Sequence, residues 1–142
     1  MKDFENVSLP GPTVTPISQP FWESLKRGVF TLQRCNSCEE WIFYPRAHCP
    51  HCFSESLRWE EASGGGRLKT WSIVHRPGNP AWNHLAPYAV GVVELDEGPS
   101  ILSHILADTH DYNYLQRVRL NILTPGEQPL PFFEIHEQEE RI

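Results

Sequence analysis

The amino-acid sequence predicts a mainly β protein with one short helical segment near its N-terminus. Two observations carry this prediction. The second half of the chain contains five segments with the composition or the alternation of β-strands, separated by turn residues. The first half contains four cysteines in two equal CxxC spacings, among short strand-like runs, and one short stretch with helical periodicity. A small barrel and a cysteine-bearing module account for both halves.

Length and composition limit the classes of protein to be considered. The 142 residues suit one domain, or a small module fused to a larger one. No apolar run approaches the roughly 18 residues that span a bilayer, and the N-terminus lacks the features of a signal peptide. We therefore expect a cytoplasmic protein with reduced thiols and no membrane contact. The formal charge of -6, from 12 basic and 18 acidic residues, disfavours nucleic acid as a partner.

The N-terminal region is expected to form an extended arm followed by a helix. Residues 1–17 contain three prolines and show no period, which is typical of a segment that is disordered or lies against a partner. Ser18 is expected to cap the helix and Gly28 to end it. Phe21, Trp22 and Leu25 fall on one helical face. So short a helix requires a surface on which to pack, in its own domain or in a partner.

The strand predictions place a barrel after the glycine-rich segment 63–66, which is expected to be a hinge between modules or a turn into the next strand. Arg117–Ile122 alternates strictly between apolar and polar residues, and Tyr88–Leu95 is almost wholly apolar. Five strands with little helix fit a small barrel of the oligonucleotide/oligosaccharide-binding (OB) type. The five predicted strands are Leu68–His75, Tyr88–Leu95, Ile101–Leu106, Arg117–Ile122 and Leu130–His136, and the cysteine module adds Val29–Arg34, Trp41–Tyr44 and Leu57–Glu61.

The cysteines predict a structural zinc site. Cys35 and Cys38 form one CxxC turn, Cys49 and Cys52 form the other, and ten residues separate the turns. Zinc prefers four tetrahedral ligands, and this spacing is typical of zinc ribbons. Four thiolates close the coordination shell, so the metal would supply folding energy rather than catalysis. A redox dithiol would need one CxxC pair beside a βαβ unit, which the sequence does not contain.

We accordingly expect three parts. They are an N-terminal arm and helix at residues 1–28, a zinc ribbon at residues 29–62 and an OB-fold barrel at residues 63–142.

A search for catalytic residues finds none to which a role can be assigned. The sequence lacks nucleophile and phosphate-binding motifs such as GxSxG and GxxxxGK[ST]. His104 lies in a predicted strand and is expected to be a hydrogen-bonded core or barrel-lining residue. His75 and His84 bracket a long loop that is a candidate for ligand contact. In this loop Trp82 is expected to be exposed and, with Arg76, to be able to contact a nucleotide-like ligand, whereas Trp71 is expected to pack in the core.

The order of these features resembles the DUF-thirty-five family. The resemblance covers about residues 20–106 and is carried by several motifs together. They are Pro20-Phe-Trp-Glu-Ser-Leu-Lys-Arg-Gly28, Gln33-Arg-Cys35-x-x-Cys38, Tyr44-Pro-Arg46, Cys49-Pro-His-Cys52, Gly66, Trp71-Ser and Tyr88-Ala-Val-Gly-Val-Val-Glu-Leu-Asp-Glu-Gly98. The chain departs from the family pattern after His104, so family contacts in residues 107–116 are not carried over.

The resemblance implies a helical segment, a rubredoxin-like zinc ribbon and an OB-fold, in an accessory subunit of a thiolase-like acyl-CoA enzyme. Such an enzyme would be an acyltransferase, a synthase or a retro-aldolase. The chain would act in a hetero-oligomer without catalysis of its own and help to hold the CoA thioester. Arg46, Trp82 and Arg76 are the candidate CoA contacts. Two alternatives stay open: a single-strand nucleic-acid-binding protein, and a self-sufficient acyl-CoA hydratase or acyltransferase that uses His75, His84 or His104.

Overall fold

The computed structural model describes residue 4, residues 9–108 and residues 110–136. Its elements are a helix, eight strands and a 3-10 helix between the fourth and fifth strands. In chain order they are α1 (Gln19–Lys26), β1 (Thr31–Cys35), β2 (Trp41–Ile42), β3 (Leu57–Glu61), β4 (Gly65–Val74), the 3-10 helix (Pro80–Leu85), β5 (Tyr88–Leu95), β6 (Ser100–Leu106), β7 (Gln116–Leu123) and β8 (Leu130–Ile135). The mainly β class expected from the sequence is confirmed.

The last five strands close into a barrel in the order β4-β5-β6-β8-β7. Neighbouring strands are antiparallel except for β6 and β8, which run parallel and pair through Ile105 with Phe133 and Leu106 with Glu134. The barrel closes where β7 pairs with β4, from Gly65 opposite Arg119 to Leu68 opposite Gln116. Five strands with this closure form an OB-type barrel, as predicted.

Helix α1 packs on the core that fills the barrel. Phe21 and Leu25, each 2% exposed, join a cluster that includes Leu68, Val93 and Phe133. Burying two such side chains contributes about 3–6 kcal/mol relative to exposure, which stabilises a helix too short to form alone. The helix therefore packs within its own chain.

The C-terminal end of α1 forms as predicted, whereas its N-terminal end does not. Gly28 adopts φ 76°, a left-handed conformation that suits glycine and ends the helix. Ser18 occupies the position before the helix, but its side chain does not cap it. The Ser18 hydroxyl instead accepts a hydrogen bond from the Thr15 N–H at 3.1 Å. The predicted side-chain cap is therefore wrong, because the hydroxyl is used by the preceding turn.

The first three strands form a separate sheet in the order β2-β1-β3. Strand β2 ends at Ile42, two residues earlier than predicted. Phe43 and Tyr44 leave the sheet and join it to the rest of the molecule: the Phe43 ring lies 5.4 Å from that of Phe21, and the Tyr44 hydroxyl accepts the Leu102 N–H at 3.1 Å. Contacts with the helix and the barrel thus take the place of strand pairing.

The described residues of the arm lie against the chain's own barrel. Phe4 and Leu9 are buried, at 3% and 7% exposure, and the Leu9 N–H donates to the Pro125 carbonyl at 3.1 Å. The expectation of an arm that is disordered or laid on a partner is therefore wrong at these two positions. Residues 10–17 are exposed apart from the partly exposed Pro12, and residues 1–3 and 5–8 fall outside the described part of the chain.

The segment between β6 and β7, which the sequence left open, also reaches the core. Tyr112 is 8% exposed, and its ring lies 5.8 Å from the half-buried ring of Trp71. Trp71 therefore packs as expected. In the ranges that the structure describes, no helix is long and apolar enough to cross a membrane.

Candidate metal centre and ligand face

Both CxxC segments fold into the same turn. In each, the N–H two residues after the first cysteine donates to its sulfur: Ser37 to Cys35 and His51 to Cys49, both at 3.3 Å. The residue that follows the second cysteine, Glu39 or Phe53, is left-handed, at φ 66° or 68°. The N–H of Glu39 returns to the Cys35 carbonyl at 3.0 Å, and that of Phe53 to the Cys49 carbonyl at 2.8 Å. The repeat in the sequence is therefore a repeat in backbone conformation.

The two turns bring the four sulfurs together. The Sγ atoms of Cys35 and Cys52 are 3.6 Å apart, as are those of Cys38 and Cys49, and all four lie within 4.8 Å of one another. Zinc with Zn–S bonds of about 2.3 Å in a tetrahedron has sulfurs about 3.8 Å apart. The thiol set therefore fits a zinc ion, which would complete its shell with these four ligands.

The backbone around Cys35 favours the thiolate that a metal binds. The Cys38 N–H, together with that of Ser37, holds the pKa of the Cys35 thiol at about 6, below its ordinary value of 9.0. N–H donors stabilise the charged form of the thiol. His48 and His51 are exposed, and His48 Nε2 lies 3.2 Å from a Glu55 carboxylate oxygen. The group of close ligands contains cysteines alone.

Gln33 fixes the position of the ribbon loop, and sequence reasoning missed it. Its side chain is only 6% exposed, and its amide donates to the Arg46 carbonyl at 2.9 Å. Its side-chain oxygen accepts the Arg46 N–H at 2.8 Å. A glutamine that reproduces the pairing of a strand satisfies two backbone groups at once. The Gln33-Arg-Cys35 motif was the available signal.

The candidate CoA contacts fall in different places. Arg46 is exposed and lines a cavity of about 390 Å³ between the ribbon and the β5–β6 turn, with Trp41, His51 and Glu97 in its wall. Trp82 and Arg76 belong to the β4–β5 connection and do not line that cavity. A CoA contact at these three residues stays a prediction.

Trp82 is half-buried in an aromatic stack rather than exposed, so that expectation was wrong. Its ring lies parallel to the His104 imidazole, with centroids 4.8 Å apart and planes 8° apart. On the other side the Phe132 ring lies 5.1 Å from His104 at 18°. Tyr88 and Phe4 contact the same imidazole at 5.0 and 5.4 Å. We define Trp82, Tyr88, His104 and Phe132 as the aromatic socket.

His104 is held neutral in this stack. Burial lowers the pKa of its imidazole to about 4. Its Nδ1 is buried, and no hydrogen-bond partner for it lies in the parts of the chain that the structure describes. Nδ1 therefore does not form the expected hydrogen bond with a described residue, and the rings of Trp82 and Phe132 stack on the imidazole instead. His75 and His84 are exposed.

Several arginines are paired with carboxylates. Arg117 makes two hydrogen bonds to Asp96, at 2.8 and 3.1 Å, which hold the pKa of that carboxyl below its usual range. Arg34 and Arg58 each contact Glu60, at 3.2 and 3.0 Å. Cations engaged in this way contribute less to a phosphate-binding surface.

Family models match the chain in two adjacent stretches. Residues 22–58 match the rubredoxin-like zinc ribbon domain of ChsH2, and residues 59–121 match its C-terminal OB-fold domain. The chain is therefore a protein of the class that joins a zinc ribbon to an OB-fold. It belongs to the DUF35 (DUF-thirty-five) family, in which its curated relatives include DUF35 domain-containing scaffold proteins.

Relatives and a solved structure give the extent of the similarity. The chain is 30% identical over 102 residues to a probable enoyl-CoA hydratase alpha subunit of Thermomonospora curvata, and 34% identical over 77 residues to the scaffold protein of Methanothermobacter thermautotrophicus. These matches span 72% and 54% of this chain, but only 31% and 57% of the relatives. The solved chain titled Ltp2-ChsH2(DUF35) aldolase aligns with a TM-score of 0.79 and 28% identity, over 88% of this chain and 98% of that one.

Proposed function

We propose that this chain is an accessory subunit of a thiolase-like acyl-CoA enzyme, which it binds and whose CoA thioester it helps to hold. The observation that carries the proposal is the match to a DUF35 chain of an aldolase, which covers almost all of that chain. The names of the scaffold-protein relatives support the same role. The partner's reaction would be that of an acyltransferase, a synthase or a retro-aldolase.

The metal centre supports an organising role. The four thiols would hold a zinc ion as a complete tetrahedral ligand set, with no ligand position for water or substrate. Zinc at this site would fold the ribbon and fix the loop that carries Phe43, Tyr44 and Arg46. Acid–base chemistry by His104 is disfavoured, because its imidazole is half-buried, neutral and stacked between rings.

An apolar surface beside the ribbon suits a protein partner. Leu102 and Tyr44 are 60% and 49% exposed and are joined by the hydrogen bond between the Leu102 N–H and the tyrosine hydroxyl. They border an apolar cavity of about 240 Å³ whose wall includes Trp22 and Leu130. Exposed apolar side chains grouped in this way favour protein contact. We assign this surface to the thiolase-like subunit.

Co-purification tests the proposal. The tagged chain is co-expressed with the thiolase-like protein encoded nearest to it in its own genome, and we expect a stable complex of the two. Leu102→Glu should weaken the complex at least about tenfold, because it places a charge in an apolar contact. Lys69→Glu, at an exposed position of β4, is the matched control. The proposal is contradicted if neither the unaltered chain nor the Lys69→Glu control forms a complex with the thiolase-like protein at micromolar concentration.

The nucleic-acid alternative is tested in the same preparation. The charge of -6 and the pairing of Arg117 with Asp96 disfavour phosphate binding. We expect no shift of a short single-stranded oligonucleotide at low salt, where phosphate attraction is strongest. Salt-sensitive binding at micromolar concentration would favour the alternative.

A further inference from the structure

Two N-terminal residues lie on the face of the barrel that OB-folds use for ligands. Such barrels bind ligands on their second and third strands, between the loops that join strands one to two and four to five. In this chain these parts are β5, β6 and the connections at 75–87 and 124–129. Phe4 contacts Trp82 of the first connection and His104 of β6, and Leu9 contacts Pro125 of the second.

Phe4 fills a position bounded by rings. Its ring centroid lies 5.1 Å from Phe132, 5.4 Å from His104 and 6.3 Å from Trp82, each at a tilt of 52° to 56°. Only 3% of the residue is exposed. Tilted contacts at these separations are those that aromatic rings prefer. The aromatic socket therefore holds a benzyl group on the outer side of β6, opposite to the core residues Ile101 and Ile105.

Leu9 is the second point of attachment. Its N–H donates to the Pro125 carbonyl, and its own carbonyl passes so close to Gly126 that a Cβ there would lie 2.7 Å from the oxygen. Beyond it, residues 10–17 are exposed except for the partly exposed Pro12. Two buried side chains thus attach the described part of the arm to this face. Such an attachment is able to open locally without unfolding the barrel.

We propose that Phe4 is an internal ligand of the aromatic socket, which covers the socket on the ligand face of the barrel, and that an aromatic side chain of a bound polypeptide takes its place there. The occupant is inferred from the group that the socket already holds, a benzyl ring on a peptide chain. The inference goes beyond the proposed function and does not depend on the identity of the enzyme partner.

A peptide that competes with the arm tests the proposal. The probe is a fluorescently labelled synthetic peptide of residues 1–11, which carries Phe4 and Leu9, and its binding to the full-length chain is followed by anisotropy. Phe4→Ala in the chain should leave the socket open and bind the peptide. The unaltered chain should bind it at least about tenfold more weakly, because affinity falls with the fraction of open sockets.

Matched controls separate the socket from the rest of the arm. Val14→Ala, an exposed position of the arm, should behave like the unaltered chain. A peptide with alanine in place of Phe4 should bind none of the proteins. Equal affinity of the Phe4→Ala and unaltered chains would overturn the proposal, as would failure of the Phe4→Ala chain to bind the peptide at millimolar concentration.

A second variant opens the arm without altering the socket or Phe4. In Gly126→Ala the new Cβ forces either Leu9 or the connection to move. The probe for this variant is a labelled peptide of residues 1–7, which carries Phe4 but lacks Leu9 and so avoids the new Cβ. We expect its affinity to lie between those for the unaltered and Phe4→Ala chains. Far-UV circular dichroism checks that both variants keep their strands. If Phe4→Ala does not fold, the peptide affinity of Gly126→Ala is the test of the proposal. An affinity equal to that of the unaltered chain would then count against a socket covered by Phe4.

Discussion

His104 shows how one residue depends on neighbours that its own segment does not reveal. The strand Ile101–Leu106 was predictable from its apolar residues, but the stack on His104 comes from Trp82 and Phe132, which lie in other elements. No local pattern brings those rings together, so Trp82 was expected to be exposed. The cysteines differ because metal ligation requires a fixed residue type at a fixed spacing.

The neutral imidazole predicts a dependence of stability on pH. Its pKa is about 4 in the folded protein and 6.5 as the ordinary value. The folded protein therefore has the full contribution of the neutral His104 to its stability above pH 6.5. It loses this contribution as the pH falls towards 4, because the unfolded chain then binds a proton at His104 that the folded chain does not bind. Between pH 7 and pH 5 we expect a loss of about 2 kcal/mol in the free energy of unfolding.

Urea unfolding of two variants measures this loss. His104→Phe keeps a ring in the stack and should reduce the loss of stability between pH 7 and pH 5 by about 2 kcal/mol. His84→Phe, an exposed position, should leave it as in the unaltered chain. Equal pH dependence in all three proteins would mean that His104 titrates in the folded state as freely as in the unfolded one.

At the scale of elements, prediction succeeded where local pattern and tertiary burial agreed. The predicted bounds of β3 and β5 match the structure. In β3 the apolar Leu57 and Trp59 alternate with charged residues, whereas Tyr88–Leu95 is a mainly apolar run that ends at the turn residues Asp96-Glu97-Gly98. Strand β2 stops short because Phe43 and Tyr44 contact the helix and the barrel. The described arm residues and Gln33 were missed for the same reason, since their partners are distant in sequence.

The ribbon is the element that should depend on metal. Cys38→Ser removes one of four ligands, and structural zinc sites supply on the order of 10 kcal/mol of apparent binding free energy to folding. We expect loss of zinc in elemental analysis and loss of native backbone signals from residues 31–61. Ser37→Ala keeps the N–H that is bonded to Cys35 and should retain both the zinc and the native backbone signals. A full equivalent of tightly bound zinc in Cys38→Ser would contradict the four-cysteine site.

At the scale of the whole molecule, helix, ribbon and barrel meet through buried aromatic contacts. Phe21 contacts both Phe30 and Phe43, and Phe30 reaches Phe133 of the barrel. The ribbon loop that carries Arg46 is thus positioned relative to the barrel by its own chain. Such a scaffold suits a subunit that presents fixed surfaces to a partner. The boundaries at residues 28 and 62 stay a prediction, and so do the three CoA contacts.

Turnover of an acyl-CoA thioester by separated and recombined subunits tests the central claim most directly. We expect no turnover above background by this chain alone, little by the thiolase-like protein alone, and at least about a hundredfold gain on mixing, because organised binding of a substrate lowers its barrier. Turnover by the isolated chain, or equal activity of the partner with and without it, would contradict an accessory role.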